Sequence, residues 1–137
     1  MKFSLSVLTV LFLCAAPDTP RSFHVAVQQI SWRPVSIPGF PPGLEQRVLH
    51  ENKLNGMSSL IIKYPKGYRE PRHYHKTCGH SIYVLKGRLQ SPGGDYPAGT
   101  FIYSAPMERH GPFLAVQETE ILIYTDGPFD IYVDDKK

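Results

Sequence analysis

The spacing of prolines and glycines is the feature that most constrains the fold of this chain. Thirteen prolines and eleven glycines are scattered over 137 residues. From Pro34 onward they leave no segment long enough for an amphipathic helix. Turn sequences such as Asn55-Gly56 and Asp126-Gly127 instead separate short apolar runs. The chain is therefore predicted to be all-β, a sandwich or barrel of about eight short strands.

The predicted strands are apolar or alternating runs bounded by turn residues. They are Glu45–His50, Met57–Tyr64, Arg72–His75, His80–Leu89, Thr100–Ser104, Arg109–Val116, Thr119–Tyr124 and Phe129–Val133. Val25–Trp32 is a further candidate strand. The segment from Pro34 to Gly43 contains four prolines and two glycines, and it is predicted to be an extended loop.

The first sixteen residues have the layout of a secretory signal peptide. Lys2 provides a positive start, and Phe3–Ala16 is almost wholly apolar and ends in two alanines. The stretch is too short to span a bilayer comfortably, so no stable membrane span is expected. We predict a signal peptide at 1–16, a linker at 17–28, one domain at 29–133 and a tail at 134–137. The signal peptide predicts a secreted or periplasmic protein. The alternative interpretation of residues 1–16 is an uncleaved apolar strand or a misassigned start of the chain.

Charge and cysteine content argue against a nucleic-acid-binding protein and against a disulfide-stabilised domain. The formal net charge is +3, and no run of lysine or arginine exceeds two residues, which does not support nucleic-acid binding. Of the two cysteines, Cys14 lies in the predicted signal, so the mature chain keeps only Cys78 and has no internal disulfide.

Four of the six histidines fall between positions 73 and 110. Alternate residues of a strand share a face, so His73 and His75 present two imidazoles to one point. His80 follows after a short turn, and His110 comes from a separate hairpin. Imidazole suits zinc, iron, nickel and copper and is accepted by manganese, so this set predicts a metal site. The alternative is a group of surface or core histidines.

The spacing around these histidines resembles the two cupin motifs. The first motif corresponds to residues 67–87. It begins at Gly67, has His73-Tyr74-His75 after five residues and His80 after four more, and ends six residues later at Gly87. His80 stands in place of the glutamate of the motif. Gly99 to His110 is similar to the second motif, although Ala105, Met107 and Leu114 replace its proline, glycine and asparagine.

The likeness extends beyond the motifs, through Ser31-Trp32-Arg33-Pro34, residues 43–51 and residues 94–100. These segments are similar to the cupin domain of anti-sigma factors and dihydroxyacetophenone dioxygenase. The resemblance implies an RmlC-like fold, a single cupin double-stranded β-helix or jelly-roll barrel.

The resemblance also implies one divalent metal ion (iron, zinc or manganese) on His73, His75, His80 and His110. With His80 in place of a carboxylate, the ligands are neutral and the metal keeps its full charge. His80 could instead turn away and leave a three-histidine site with open positions. Cys78 is expected to be a free thiol outside the motif positions.

For function, the resemblance implies a metal-dependent dioxygenase that cleaves a small diketone or hydroxyaryl ketone. A non-catalytic metal or small-molecule binding cupin, and a non-oxidative lyase or isomerase, are the alternatives on the same barrel. Tyr103 would be a proton donor or substrate contact if it points inward. A homodimer is expected by resemblance, with a small-molecule substrate or ligand as the other partner.

Overall fold

Residues 21–134 are described by a computed structural model, and within them almost all regular structure is β. One turn of 3-10 helix, Val27–Gln29, precedes the strands. The strands are β1 (Arg33–Pro34), β2 (Glu45–Glu51), β3 (Ser58–Tyr64), β4 (Arg69–Glu70), β5 (His73–Tyr74), β6 (His80–Lys86), β7 (Arg88–Ser91), β8 (Gly94–Pro97), β9 (Phe101–Ser104), β10 (Phe113–Ala115), β11 (Thr119–Thr125) and β12 (Tyr132–Val133). The predicted all-β class is confirmed.

The strands form three antiparallel sheets. A six-stranded sheet has the order β1-β2-β3-β11-β6-β9, a four-stranded sheet has the order β4-β10-β7-β8, and β12 pairs with β5. No helix within residues 21–134 is long and apolar enough to cross a bilayer. The predicted signal peptide at 1–16, with Cys14, and most of the predicted tail lie outside the described residues.

The core lies between the two larger sheets. Side chains alternate along β6 and β11, so Val84 and Ile121 are inside, fully or almost fully buried, while Tyr83 is exposed. They pack with Leu89 and Phe113 from the four-stranded sheet. Each such buried side chain stabilises the fold by roughly 1.5–3 kcal/mol. One face of each sheet therefore surrounds a common apolar interior.

Gly87 divides the predicted strand His80–Leu89 between the two sheets. Its φ is +85°, and a Cβ there would collide with the carbonyl oxygen of Glu118. Glycine allows this turn because it alone adopts positive φ without a steric cost. The prediction of one continuous strand is therefore wrong, since the chain leaves the six-stranded sheet at Lys86 and enters the four-stranded sheet at Arg88.

Other local predictions also need correction. Val25–Trp32 is not a strand; it contains the exposed 3-10 turn. The proline-rich segment begins within a strand, because Pro34 pairs with Glu45. Gly94–Pro97 lies in a predicted turn region but pairs with β7. Three predicted strands are at most half as long as expected, namely β5, β10 and β12. Tertiary pairing decides these short segments, which local sequence patterns cannot show.

Candidate metal centre

The strand β5 and its bridge to His110 bring three imidazoles to one point. The backbones of His73 and His110 exchange hydrogen bonds of 3.1 and 3.0 Å, which aligns the two side chains. His75 follows two residues after His73 on the same side of the extended chain. One ring nitrogen of each of these three histidines lies within 4.8 Å of those of the other two.

Hydrogen bonds fix the tautomer of each ring. The Nδ1–H groups of His73 and His110 donate to the carbonyls of Pro71, at 2.9 Å, and Glu108, at 3.1 Å. That of His75 donates to the carbonyl of Asp130. Each Nε2 atom therefore carries a free lone pair.

These lone pairs face one another without a proton between them. The Nε2 atoms of His73 and His110 are 3.0 Å apart, and the buried Nε2 of His75 has no hydrogen-bond partner. Burial lowers the pKa of His73 to about 3 and also lowers the pKa of His75 and of His110. Three neutral imidazoles with convergent lone pairs fit a divalent metal ion.

His80 lies beside this trio rather than within it. Its ring centroid is 4.6 Å from that of His75 and 4.8 Å from that of His110, and 3% of the residue is exposed. Burial lowers its pKa to about 3, and its Nδ1 has no hydrogen-bond partner. Its ring nitrogens are not part of the set that lies within 4.8 Å. Ligation by His80 therefore stays a prediction.

Phe129 and Asp130, which follow β11 in the chain, contact His75 and fix its position. Besides the carbonyl contact, the Asp130 carboxylate accepts hydrogen bonds from the backbone N–H groups of Lys76 and Thr77 at 3.1 Å. The Phe129 ring lies 5.0 Å from that of His75. Cys78, buried and not in a disulfide, forms a second close group with His75 and Asp130. The orienting carbonyl could not be found from the sequence, because any residue can supply one.

A cavity of about 340 Å³ opens onto His73, His75 and His80. Its walls are mainly apolar, and they include Val35, Ile37, Phe40, Leu44, Leu60, Ile62, Ile82, Ile121, Ile123 and Phe129. No lysine or arginine is among the described residues that line it. Its carboxylates are those of Glu70 and Asp130. The cavity is thus suited in size and polarity to a small, largely apolar molecule.

Comparison with known families identifies the fold and the family. Residues 20–130 match the family described as the ChrR cupin-like domain. The chain belongs to this family. The resemblance to the cupin domain of anti-sigma factors is thereby confirmed.

Solved structures agree with this assignment. An acetylacetone dioxygenase from Acinetobacter johnsonii matches this cupin with a TM-score of 0.69 and 16% identity, over 89% of this chain and 83% of that one. The complex of Rhodobacter sphaeroides SigE with the anti-sigma ChrR gives a TM-score of 0.57 and 19% identity, over 74% of this chain and 52% of that one. These likenesses confirm the predicted cupin jelly-roll barrel.

A curated relative shares part of the sequence. The DNA damage-repair/toleration protein DRT102 of Arabidopsis thaliana is 27% identical over 100 residues, which are 69% of this chain. The match covers 30% of that protein's length, so this cupin corresponds to less than a third of it.

Glu70 is a buried carboxyl in the cavity wall that the histidine pattern did not reveal. The hydroxyl of Tyr64 donates to its Oε2 at 2.6 Å, and its Oε1 lies 3.6 Å from Nδ1 of His73. Burial raises the pKa of Glu70 to about 7. Because His73 is uncharged at neutral pH, this contact is not an ion pair. Tyr68 and Glu70 are buried on either side of an exposed Arg69, but this alternation spans too few residues to be recognised from the sequence.

The Glu70→Gln variant is expected to be more stable than the wild type at alkaline pH. The folded pKa of about 7 exceeds the unfolded value of 4.5, so the folded state binds the extra proton and stability is lost as pH rises from 4.5 through 7. Glutamine removes this loss, which amounts to about 3 kcal/mol at pH 8. Denaturant unfolding of both metal-free proteins at pH 4 and pH 8 checks it. An equal difference at both pH values would contradict the buried carboxyl.

Tyr103 does not reach the cavity. It pairs with Ser81, whose side chain alternates with the inward His80 and Ile82. Its ring is therefore on the outer face of the six-stranded sheet, and the residue is 56% exposed. The inward orientation on which a catalytic role for Tyr103 depended is absent, because the register of β9 places it outside.

Proposed function

We propose that this cupin is a metal-dependent dioxygenase that cleaves a carbon–carbon bond in a small neutral diketone or hydroxyaryl ketone, with dioxygen as co-substrate. The observation that carries the proposal is the mainly apolar cavity lined by His73 and His75, two of the three neutral imidazoles whose free lone pairs converge, and by the neighbouring His80. The Acinetobacter johnsonii structure, an acetylacetone dioxygenase on the same fold, supports it as an analogy.

The charge of the cavity favours a neutral substrate. The described lining residues include no lysine or arginine, so a carboxylate substrate would find its counter-charge in the bound metal and not in the wall. Glu70 and Asp130 would instead repel it when ionised. A ketone carries no formal charge, and its carbonyl oxygens are suitable metal ligands. We therefore favour ketones over organic acids.

The residues of the site have two proposed roles, to bind the metal and to enclose the substrate. His73, His75 and His110 would hold the metal, and the carbonyls of Pro71, Glu108 and Asp130 keep their Nε2 atoms turned inward. The apolar wall binds the hydrocarbon part of the substrate and excludes water. When bound, the metal would supply the Lewis-acid or redox chemistry that this cleavage needs.

Oxygen uptake tests the proposal directly. The iron(II)-loaded protein, prepared anaerobically, is expected to consume oxygen with acetylacetone or 2-hydroxyacetophenone at least about 100-fold faster than with malonate, because the carboxylates of Glu70 and Asp130 oppose a dianion and the wall adds no cation to that of the metal. An oxygen electrode measures the rates, with product analysis for the cleaved bond. The His75→Ala variant is the inactive control. Tightly held zinc together with no uptake for any metal would refute the oxygenase.

His80 favours a second candidate. If its ring turned toward the trio, four protein nitrogens would surround the metal, and a site closed in this way is typical of structural zinc. The protein would then be a non-catalytic binding cupin. A non-oxidative lyase or isomerase would instead need an open coordination position on the metal for its substrate. Tight zinc binding with ketone binding but no turnover would favour the non-catalytic candidate.

A further inference from the structure

A second cavity lies on the other side of the proline-rich segment from the histidines. Residues 38–41 lie between the two, because Pro38 and Phe40 line the first cavity whereas Gly39 and Pro41 line the second. The second cavity measures about 710 Å³, and Arg69 and Arg72 are in its wall. We call it the arginine groove.

The arginine groove differs from the first cavity in having cations in its wall. Arg69 and Arg72 are both exposed. Among residues 21–134, Arg69 forms no ion pair with a carboxylate. The carboxyls in the wall are those of Glu70 and Asp134. Glu70 is buried, and one of its oxygens already accepts the hydroxyl of Tyr64.

The Asp134 carboxylate holds two guanidinium groups at the edge of the groove. Its two oxygens contact the Nε atoms of Arg109, at 2.8 Å, and of Arg72, at 3.3 Å. The Arg109 guanidinium also lies over the Tyr74 ring, 4.6 Å from the ring centroid. In the described part of the chain, the Nη groups of both arginines donate no hydrogen bond. Each guanidinium is therefore oriented by Asp134 and still has free donors.

The charge and the remaining wall of the groove determine what it can bind. The three arginines exceed the carboxyls of Glu70 and Asp134 by one positive charge, even when both carboxyls are ionised. A guanidinium binds a carboxylate or a phosphate through two parallel hydrogen bonds. The other residues of the wall are apolar or glycine, namely Gly39, Pro41, Pro71, Pro112 and Val133. The groove thus combines donors for an anionic group with an apolar surface.

We infer that the arginine groove binds a small organic oxyanion. The carboxylate or phosphate group of this molecule contacts Arg69 and Arg72, and its apolar part lies against the prolines. This inference goes beyond the proposed function, since it concerns a different cavity and requires no metal. The two cavities differ in charge, so the groove accepts the organic acids that the wall of the first cavity disfavours.

Calorimetry with benzoate and phenyl phosphate tests the inference. Benzamide, which has the same ring without the charge, is the control ligand. At least one of the two acids is expected to bind the wild-type protein about tenfold or more tightly than benzamide, because a hydrogen bond to a charged group contributes at least this factor. The ratio between the two acids identifies the preferred anionic group.

Variants of the two arginines locate the binding. Arg69→Gln and Arg72→Gln are each expected to weaken binding of the acid about tenfold or more. Both side chains are exposed, so their replacement leaves the core unchanged. Arg72→Lys keeps the charge without the planar fork, and it is expected to retain part of the affinity.

Two further variants are expected to bind the acid as the wild type does. Arg88→Gln is the matched control, because Arg88 is 46% exposed and also pairs with an aspartate, Asp95, but lies outside the groove. His75→Ala removes a proposed metal ligand and leaves the groove intact. It therefore separates binding in the groove from binding to the metal.

Three results would overturn the inference. The first is that neither acid binds the wild type more tightly than benzamide. The second is binding that His75→Ala abolishes and both glutamine variants keep, which would place the acid on the metal. The third is an equal loss in Arg88→Gln and Arg72→Gln, which would indicate non-specific attraction to a basic protein. The proposed oxygenase fails on a different observation, the absence of oxygen uptake with every ketone.

Discussion

The His73→Ala and His75→Ala variants are expected to lose stoichiometric metal. Each substitution removes one of three convergent Nε2 lone pairs, and the remaining two imidazoles leave the ion with too few protein ligands. Altering residues that only orient metal ligands commonly lowers affinity 10–100-fold, so removal of a ligand itself should exceed about 100-fold. Elemental analysis of the purified proteins, followed by competition with a chelator, measures the loss. The same result is expected for His110→Ala.

His50→Ala is the matched control. His50 is an exposed histidine on β2, outside the cavity lining, so its removal should leave the metal content unchanged. Circular dichroism on each variant separates loss of the ligand from loss of the fold. Stoichiometric metal in His73→Ala and His75→Ala would show that the ion binds elsewhere and would refute the site.

The metal affinity of the His80→Ala variant tests whether His80 is a metal ligand. If His80 ligates the metal, its removal lowers affinity, but by a smaller factor than removal of His75, since its ring nitrogens lie outside the close set of three. Unchanged affinity would show that the three-histidine site is complete without it. The His80→Glu variant then tests whether the carboxylate of the usual cupin motif fits this position.

The residues of the site that were predictable from sequence are those placed by strand alternation or by the fixed spacing of a motif. Alternation along a strand required His73 and His75 to share a face, and the cupin motif added His110 at a distance. The core strands β3 and β11 were predictable for the same reason, since a buried face leaves an apolar period of two.

The remaining parts depend on tertiary contacts with no local signature. Asp130 acts through its backbone carbonyl, which every residue has. Glu70 becomes notable only because Tyr64 and His73 enclose it, and a strand glutamate is ordinarily exposed. Gly87 was visible as a motif residue, but its role in moving the chain from one sheet to the other follows from the close approach of Glu118. Register likewise decided that Tyr103 lies outside.

Acid is expected to destabilise the metal-free protein well above the pH at which its buried histidines accept protons. Burial lowers the pKa of both His73 and His80 from 6.5 to about 3. Between these values the unfolded chain binds protons that the folded chain does not, so the free energy of unfolding falls as pH falls from 6.5 toward 3. At pH 5 the two histidines together lower it by about 4 kcal/mol, a large part of a typical total of 5–15 kcal/mol.

Glu70 titrates in the opposite sense, because its folded pKa is raised, and it would mask part of this fall. The measurement is therefore sharpest in the Glu70→Gln variant, with denaturant unfolding at pH 8, 6 and 5, where ordinary carboxylates stay largely ionised. We expect a loss of about 4 kcal/mol between pH 8 and pH 5, and bound metal should oppose it because only the neutral imidazoles bind the ion. Stability that stayed constant to pH 5 would mean that the folded protein accepts these protons. His73 and His80 would then be charged at pH 5, which is incompatible with burial of both rings at a dry, neutral metal site.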